Sequence, residues 1–220
     1  MSLVGELFAK DYAKERNLDW QRVMQVLASY NWENRTYDVR LELSGLKGLE
    51  EDIIYNFLTF MATEINHLTR KNYYDFEKKI FSFLGSPKEI VKRIEIEEKK
   101  KEKILPTLVN NAKEFAVKLG KELYMLEPMI FLRGSASPKS RKIFWYYEKN
   151  QERIFVSDID IEVVICDFNN DIFNYARKET YEFSLKNKIP INIHFMTFSN
   201  MDKGLFDYAY PLFIPYKTKN

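Results

Sequence analysis

The chain has 220 residues, 45% of them hydrophobic and 15% aromatic, and its 34 basic against 32 acidic residues leave a formal net charge of +2. That composition can build a core and excludes disorder, which needs low hydrophobicity and high net charge; it also lacks the basic excess of a dedicated nucleic-acid binder, though a local basic patch stays open. One cysteine, Cys166, excludes an intrachain disulfide, and with only His67 and His194 beside it no zinc set has usable spacing.

Cys166 ends an apolar run and is expected to be a small buried filler. Met1 to Lys10 does not have the basic and apolar regions of a secretory signal. No apolar run approaches the ~18 residues that span a bilayer. The expectation is a soluble cytoplasmic protein without membrane contact.

Along the chain, Leu3 to Asn17 and Leu18 to Tyr30 place apolar residues at helical spacing. Thr36 to Ser44 alternates apolar and polar residues as a short strand would, while Leu41 to Leu49 can also lead into a helix. Glu50 to Leu68 is a stronger helix, opened by three acids that suit its positive end. Tyr73 to Leu84 continues helically to a stop at Gly85. Ser86-Pro87-Lys88-Glu89 is a helix start with a capping box. The charge run Glu95 to Lys103 reads as a solvated helix or helical linker, with a docking face for an acidic partner as the alternative. Pro106 is expected to break it, which puts a boundary between residues 1–104 and 105–220.

Beyond it, Leu108, Ala112, Phe115, Ala116, Leu119 and Leu123 form one helical stripe. Then the pattern changes. Met129 to Leu132 reads as a buried strand, Ile159 to Ile165 as a second, Asn170 to Asn187 as a helix and Pro190 to Phe198 as a third strand. Pro211 and Pro215 mark the tail. Between the first two strands, Lys142 to Tyr147 and Glu152 to Val156 flank a polar turn, as a hairpin would.

Two short motifs carry chemistry. The first strand runs into Arg133-Gly134-Ser135, where glycine lets backbone approach an anion and serine adds a hydroxyl donor. Ser157-Asp158-Ile159-Asp160 opens the second strand. Asp158 and Asp160, two apart, point to one face. Two like charges there repel, and a divalent cation between them removes the cost. Hard oxygen ligands of this kind suit Mg²⁺, which is held by one or two carboxylates and substrate phosphates. A solvent-facing polar stripe continued by Glu162 is the structural alternative.

Together these residues resemble the DNA polymerase β-like nucleotidyltransferase superfamily, whose motif is a hydrophobic strand, Gly-Ser, a spacer and Asp-x-Asp on the next strand. The likeness spans roughly residues 105 to 200. It does not cover the helical N-terminal half, residues 1–104, and implies a small mixed-sheet nucleotidyltransferase domain with flanking helices over residues 105–220, which makes the whole an α+β protein. It implies a nucleoside triphosphate held by Gly134 and Ser135 and Mg²⁺ held by Asp158 and Asp160. Transfer of a nucleoside monophosphate would follow to an acceptor (nucleic acid, protein or small molecule) whose class is open, as is oligomeric state. The helical half would select the acceptor or form an interface.

This chain departs from that pattern in two places. Residues 136 to 157 make a long spacer, and its Lys139, Arg141 and Lys142 beside Trp145, Tyr146 and Tyr147 could grip a nucleotide or nucleic acid or simply pack. The later strand that usually supplies a third carboxylate reads Ile191-Asn192-Ile193-His194-Phe195, without an acid. His194 as a base, or Glu162 in the catalytic set, are the substitutes. The alternative is a catalytically degenerate nucleotide-binding module, regulatory or partner-binding in the manner of an antitoxin.

Overall fold

The computed structural model describes residues 3–31, 36–37, 39–66, 78, 82–167, 169–201 and 204–215. The chain forms two units, Met1–Ile96 with Tyr146–Val156, and Glu97–Trp145 with Ser157–Asn220. The hairpin of the spacer thus belongs with the N-terminal helices, although it interrupts the C-terminal unit in sequence.

In the first unit, α1 (Leu3–Arg16) and α2 (Trp20–Ser29) bury Phe8, Ala9, Tyr12, Val23, Met24 and Val26. Asp19 caps α2 by accepting the Gln21 amide at 3.0 Å. The alternation at Thr36 to Ser44 gives only a two-residue strand, β2 (Thr36–Tyr37), paired antiparallel with β1 (Tyr30–Asn31). Val39–Ser44 is instead a short helix, α3. Arg22 of α2 donates to the Leu43 carbonyl at 3.0 Å, near the end of α3 where a helix leaves acceptors unpaired. α4 (Glu50–Asn66) follows, with Ile53 and Ile54 inward. Of the helix expected over Tyr73 to Leu84, most lies outside the described residues, and 82–84 are helical.

The hairpin is β4 (Tyr146–Lys149) and β5 (Glu152–Phe155), antiparallel. Asn150 and Gln151 both have positive φ, 49° and 67°, as a two-residue turn matched to strand twist requires. Its aromatics pack: Tyr146 is buried and Tyr147 sets its ring edge-on to Trp20 at 4.7 Å. Gln25 donates to the Phe155 carbonyl at 3.0 Å and Arg40 to that of Val156 at 2.9 Å, while Lys149 pairs with Asp19 and Arg22 with Glu152.

α5 (Pro87–Glu122) opens on the expected capping box, the Glu89 carboxylate accepting the Ser86 amide at 2.6 Å and the Ser86 hydroxyl accepting the Glu89 amide at 3.3 Å. Pro106 does not break it but lies inside. A proline there removes one backbone bond and strains the preceding turn. Burial of Ile104, Leu108, Ala112, Phe115, Ala116 and Leu119 along one stripe, at about 1.5–3 kcal/mol for each large side chain, outweighs that cost.

In the second unit four strands make one sheet in the order β7-β6-β3-β8: β3 (Met129–Arg133), β6 (Ile159–Ile165), β7 (Ile191–Thr197) and β8 (Tyr210–Phe213). β3 is antiparallel to both neighbours, and β6 and β7 run parallel across α6 (Asn170–Asn187). β8 was not foreseen. Its Pro211 is tolerated because the strand lies at the edge, where a missing amide costs least. One sheet face, with Ile130 and Leu132, meets the two long helices: Phe115 touches Phe183, Phe173 meets Phe195, and Gly120 leaves room for the Phe213 ring. The other face carries the candidate site. Cys166, just past β6, is exposed rather than buried, because the strand ends at Ile165 and the next amide turns to the Leu126 carbonyl. Among the described residues no helix is long and apolar enough to cross a membrane.

Candidate functional site

Residues opposite one another in a sheet share a face. The β3–β6 register sets Arg133 opposite Asp160 and Phe131 opposite Glu162. The β6–β7 register sets Asn192 beside Asp160 and His194 beside Glu162. All of these therefore look out from one side, which divides into two halves. Phe131, Val164, Met129 and Met196 are apolar and are covered by Leu205 and Ala209, in and just after α7 (Leu205–Tyr208). The rest, Arg133, Asp160, Glu162, Asn192 and His194, form a polar half at the end of β3 where Gly134 begins.

Gly134 has φ +63°, a left-handed conformation that side chains disfavour. A Cβ built there would fall 2.0 Å from Asp160 Oδ2. Only glycine lets the turn and the carboxylate lie this close. The turn itself, Gly134–Ala136, is closed by the Ser137 amide donating to the Gly134 carbonyl at 3.3 Å, with Ser135 half-buried and Ala136 and Ser137 fully buried. Thus Gly134-Ser135 and Asp160, 26 positions apart in sequence from Gly134 to Asp160, meet across one strand pair.

Asp158 precedes β6 and sits between two anchored neighbours. Ser157 exchanges two hydrogen bonds with Trp145, its amide donating to the carbonyl at 2.9 Å and its hydroxyl accepting the amide at 2.8 Å. The Ile159 amide donates to the Pro190 carbonyl at 2.9 Å. Asp158 and Asp160 are both half-buried.

Glu162 shares the face of Asp160 as the alternation requires, but it is 2% exposed and paired with the Arg133 guanidinium. Burial raises its carboxyl above the usual carboxylate range, and the Arg133 charge and hydrogen bond offset that only in part. The pairing leaves this carboxylate committed to Arg133 and closed to solvent. Arg133 is the residue the motif reading passed over. A cation beside Gly134 at the end of a buried strand was the signal, and its acidic partner came only with the strand register. His194 lies at the open edge, 47% exposed, with Nε2 4.0 Å from Asp160 Oδ1. Burial of its ring and the nearby Arg133 charge lower its pKa, against Asp158, which raises it, and this favours the uncharged imidazole.

Beneath the loop that follows the turn, Lys101 is 7% exposed, in the middle of the run expected to be solvated. Its ammonium donates to the carbonyls of Ser137, Ser140 and Lys142 at 3.4, 2.6 and 3.1 Å. Nothing in a lysine-rich stretch marks which lysine turns inward. Among the described residues no group of three or more His, Cys, Asp or Glu side chains is arranged to hold a metal. Compared with family models, curated proteins and solved structures, the chain matches none.

Proposed function

We propose that the chain is an Mg²⁺-dependent nucleotidyltransferase that moves a nucleoside monophosphate from a triphosphate to an acceptor. The observation that carries this reading is the contact of the Gly134 turn with the Asp160 carboxylate, since it joins an anion-approachable backbone to an acid that can take a cation. The donor set fits Mg²⁺, because Asp158 and Asp160 offer hard oxygens and a magnesium site completes its shell with water and substrate phosphate rather than with a full protein cage. Bound there, Mg²⁺ would supply charge neutralisation at the phosphates.

In this reading the Gly134–Ala136 backbone and the Ser135 hydroxyl hold phosphate oxygens. Asp158 and Asp160 would hold the Mg²⁺. An acceptor oxygen bonds to the α-phosphorus, and the bond to pyrophosphate breaks, with pyrophosphate carrying away the electron pair. The acceptor's proton passes to His194 Nε2, which lies 4.0 Å from Asp160 Oδ1. Asn192 stands opposite Asp160 and cannot take a proton. Arg133 and Glu162 pair with each other on the same face.

The absence of an acid at position 192 favours a second reading, a nucleotide-binding module without turnover that acts through a partner protein. Calorimetry with each of the four triphosphates, with and without Mg²⁺, on wild type and an Asp158→Asn, Asp160→Asn variant, is the test of the site. We expect Mg²⁺-dependent binding of a triphosphate that the variant loses. Absence of binding by wild type sinks both readings. Binding without release of pyrophosphate, across nucleic-acid, protein and small-molecule acceptors, selects the second.

A further inference from the structure

Lys101 is a buried cation that the proposed chemistry does not use. An ammonium has three donors, and here three backbone carbonyls take them, all from the loop 137–142 that leaves the Gly134–Ala136 turn. The loop's own amides are also engaged: Ser140 donates to the Ser137 carbonyl, Lys139 to the Ser137 hydroxyl and Lys142 to the Ser140 hydroxyl. A short segment without helix or strand is thereby held in one shape from below. Its outward side chains are Lys139, Arg141 and Lys142, all exposed. Lys139 also donates to the Phe206 carbonyl at 2.7 Å, which ties the loop to α7 at its outer side.

A lysine buried at this cost needs full pairing. Six residues in a row could satisfy their carbonyls in water at no such cost. What the buried ammonium secures is the presentation of three cations immediately after a turn that approaches the Asp160 carboxylate. A triphosphate has its charge concentrated in the two outer phosphates, and clustered lysine and arginine side chains are the groups that bind such charge.

We propose that loop 137–142 is the clamp for the outer phosphates of the nucleotide, with Arg141 and Lys142 as its binding cations and Lys101 as the positioning residue that holds it in shape. This rests on the nucleotidyltransferase reading. The clamp acts on the outer phosphates, while Asp158 and Asp160 would hold the Mg²⁺ at the α-phosphate, so the two parts separate by ligand. A triphosphate uses both and a monophosphate uses only the second.

The test compares binding of a nucleoside triphosphate and the monophosphate of the same base, both with Mg²⁺, by calorimetry. The proteins are wild type, Lys101→Met and the surface double variant Arg141→Ala, Lys142→Ala. We expect both variants to lose about tenfold or more in triphosphate affinity, a loss the size of one charge-assisted contact, and to keep monophosphate affinity within about twofold. Hydrogen exchange of amides 139–142 should quicken in Lys101→Met. Should Lys101→Met fail to fold, the surface variant decides. An unchanged ratio of triphosphate to monophosphate affinity in the variants overturns the clamp while the site reading stands. A wild type that binds no triphosphate removes the site reading and the clamp with it.

Discussion

Gly134 is the residue on which the site's geometry turns. Its φ of +63° and the 2.0 Å approach of a built Cβ to Asp160 Oδ2 act together, so a methyl group there both strains the backbone and pushes the carboxylate away. Gly134→Ala should lower stability by about 1–3 kcal/mol. It should also abolish Mg²⁺-dependent nucleotide binding. Thermal melts and calorimetry on the same sample check both, and a variant as stable as wild type would contradict the close approach. Glycine followed by serine at a strand end was readable as a turn with room for close backbone approach. Its contact with Asp160 was not, because that contact depends on a strand pairing 26 positions away. Cys166 shows the reverse error. An apolar run suggested burial, but the strand ended one residue earlier.

At the scale of elements, helices and strands of the C-terminal unit were the most legible part. Asn170–Asn187 and Ile159–Ile165 lie where periodicity puts them, since an 18-residue amphipathic run and an alternating strand each have one low-energy reading. Pro106 was misleading, because local propensity lost to a buried stripe continuing on both sides of it. A contact between elements gives a pH-dependent prediction. Tyr12 of α1 donates to Asp52 of α4 at 2.7 Å, and burial first, then that hydrogen bond and the carboxylate's charge, push its phenol up to about 12, against Arg16. The folded pKa is raised above the unfolded value of about 10. The neutral phenol therefore stabilises the fold fully below about pH 10, and that contribution is lost as pH rises towards about 12. Urea midpoints followed across that range should fall more steeply for wild type than for Tyr12→Phe. Parallel curves would remove the linkage.

For the whole molecule, the first unit is discontinuous in sequence. Residues 1–96 group with the hairpin at 146–156, which supplies the carbonyl partners of Gln25 and Arg40, the carboxylate partner of Arg22 and the ring that meets Trp20. A fragment of residues 1–96 alone leaves Gln25, which is 1% exposed, with a lost partner. It should show no cooperative thermal transition by circular dichroism, while addition of the hairpin as a covalent extension should restore one. A cooperative transition in the fragment alone would show that the hairpin is dispensable.

By itself the sequence determined the α+β class, three of the four strands of the C-terminal sheet, the capping box at Ser86, the hairpin and the spacing of the Gly-Ser and Asp-x-Asp motifs, because each is written in local spacing, turn chemistry or alternation. Tertiary structure alone decided the rest. It joined Gly134 to Asp160 by strand register, gave Glu162 to Arg133, turned one lysine of a charged run inward to three carbonyls, extended a helix through Pro106 and assigned the hairpin to the other unit. Those outcomes depend on which distant surfaces meet, and burial, worth more than local preference, is settled only when they do.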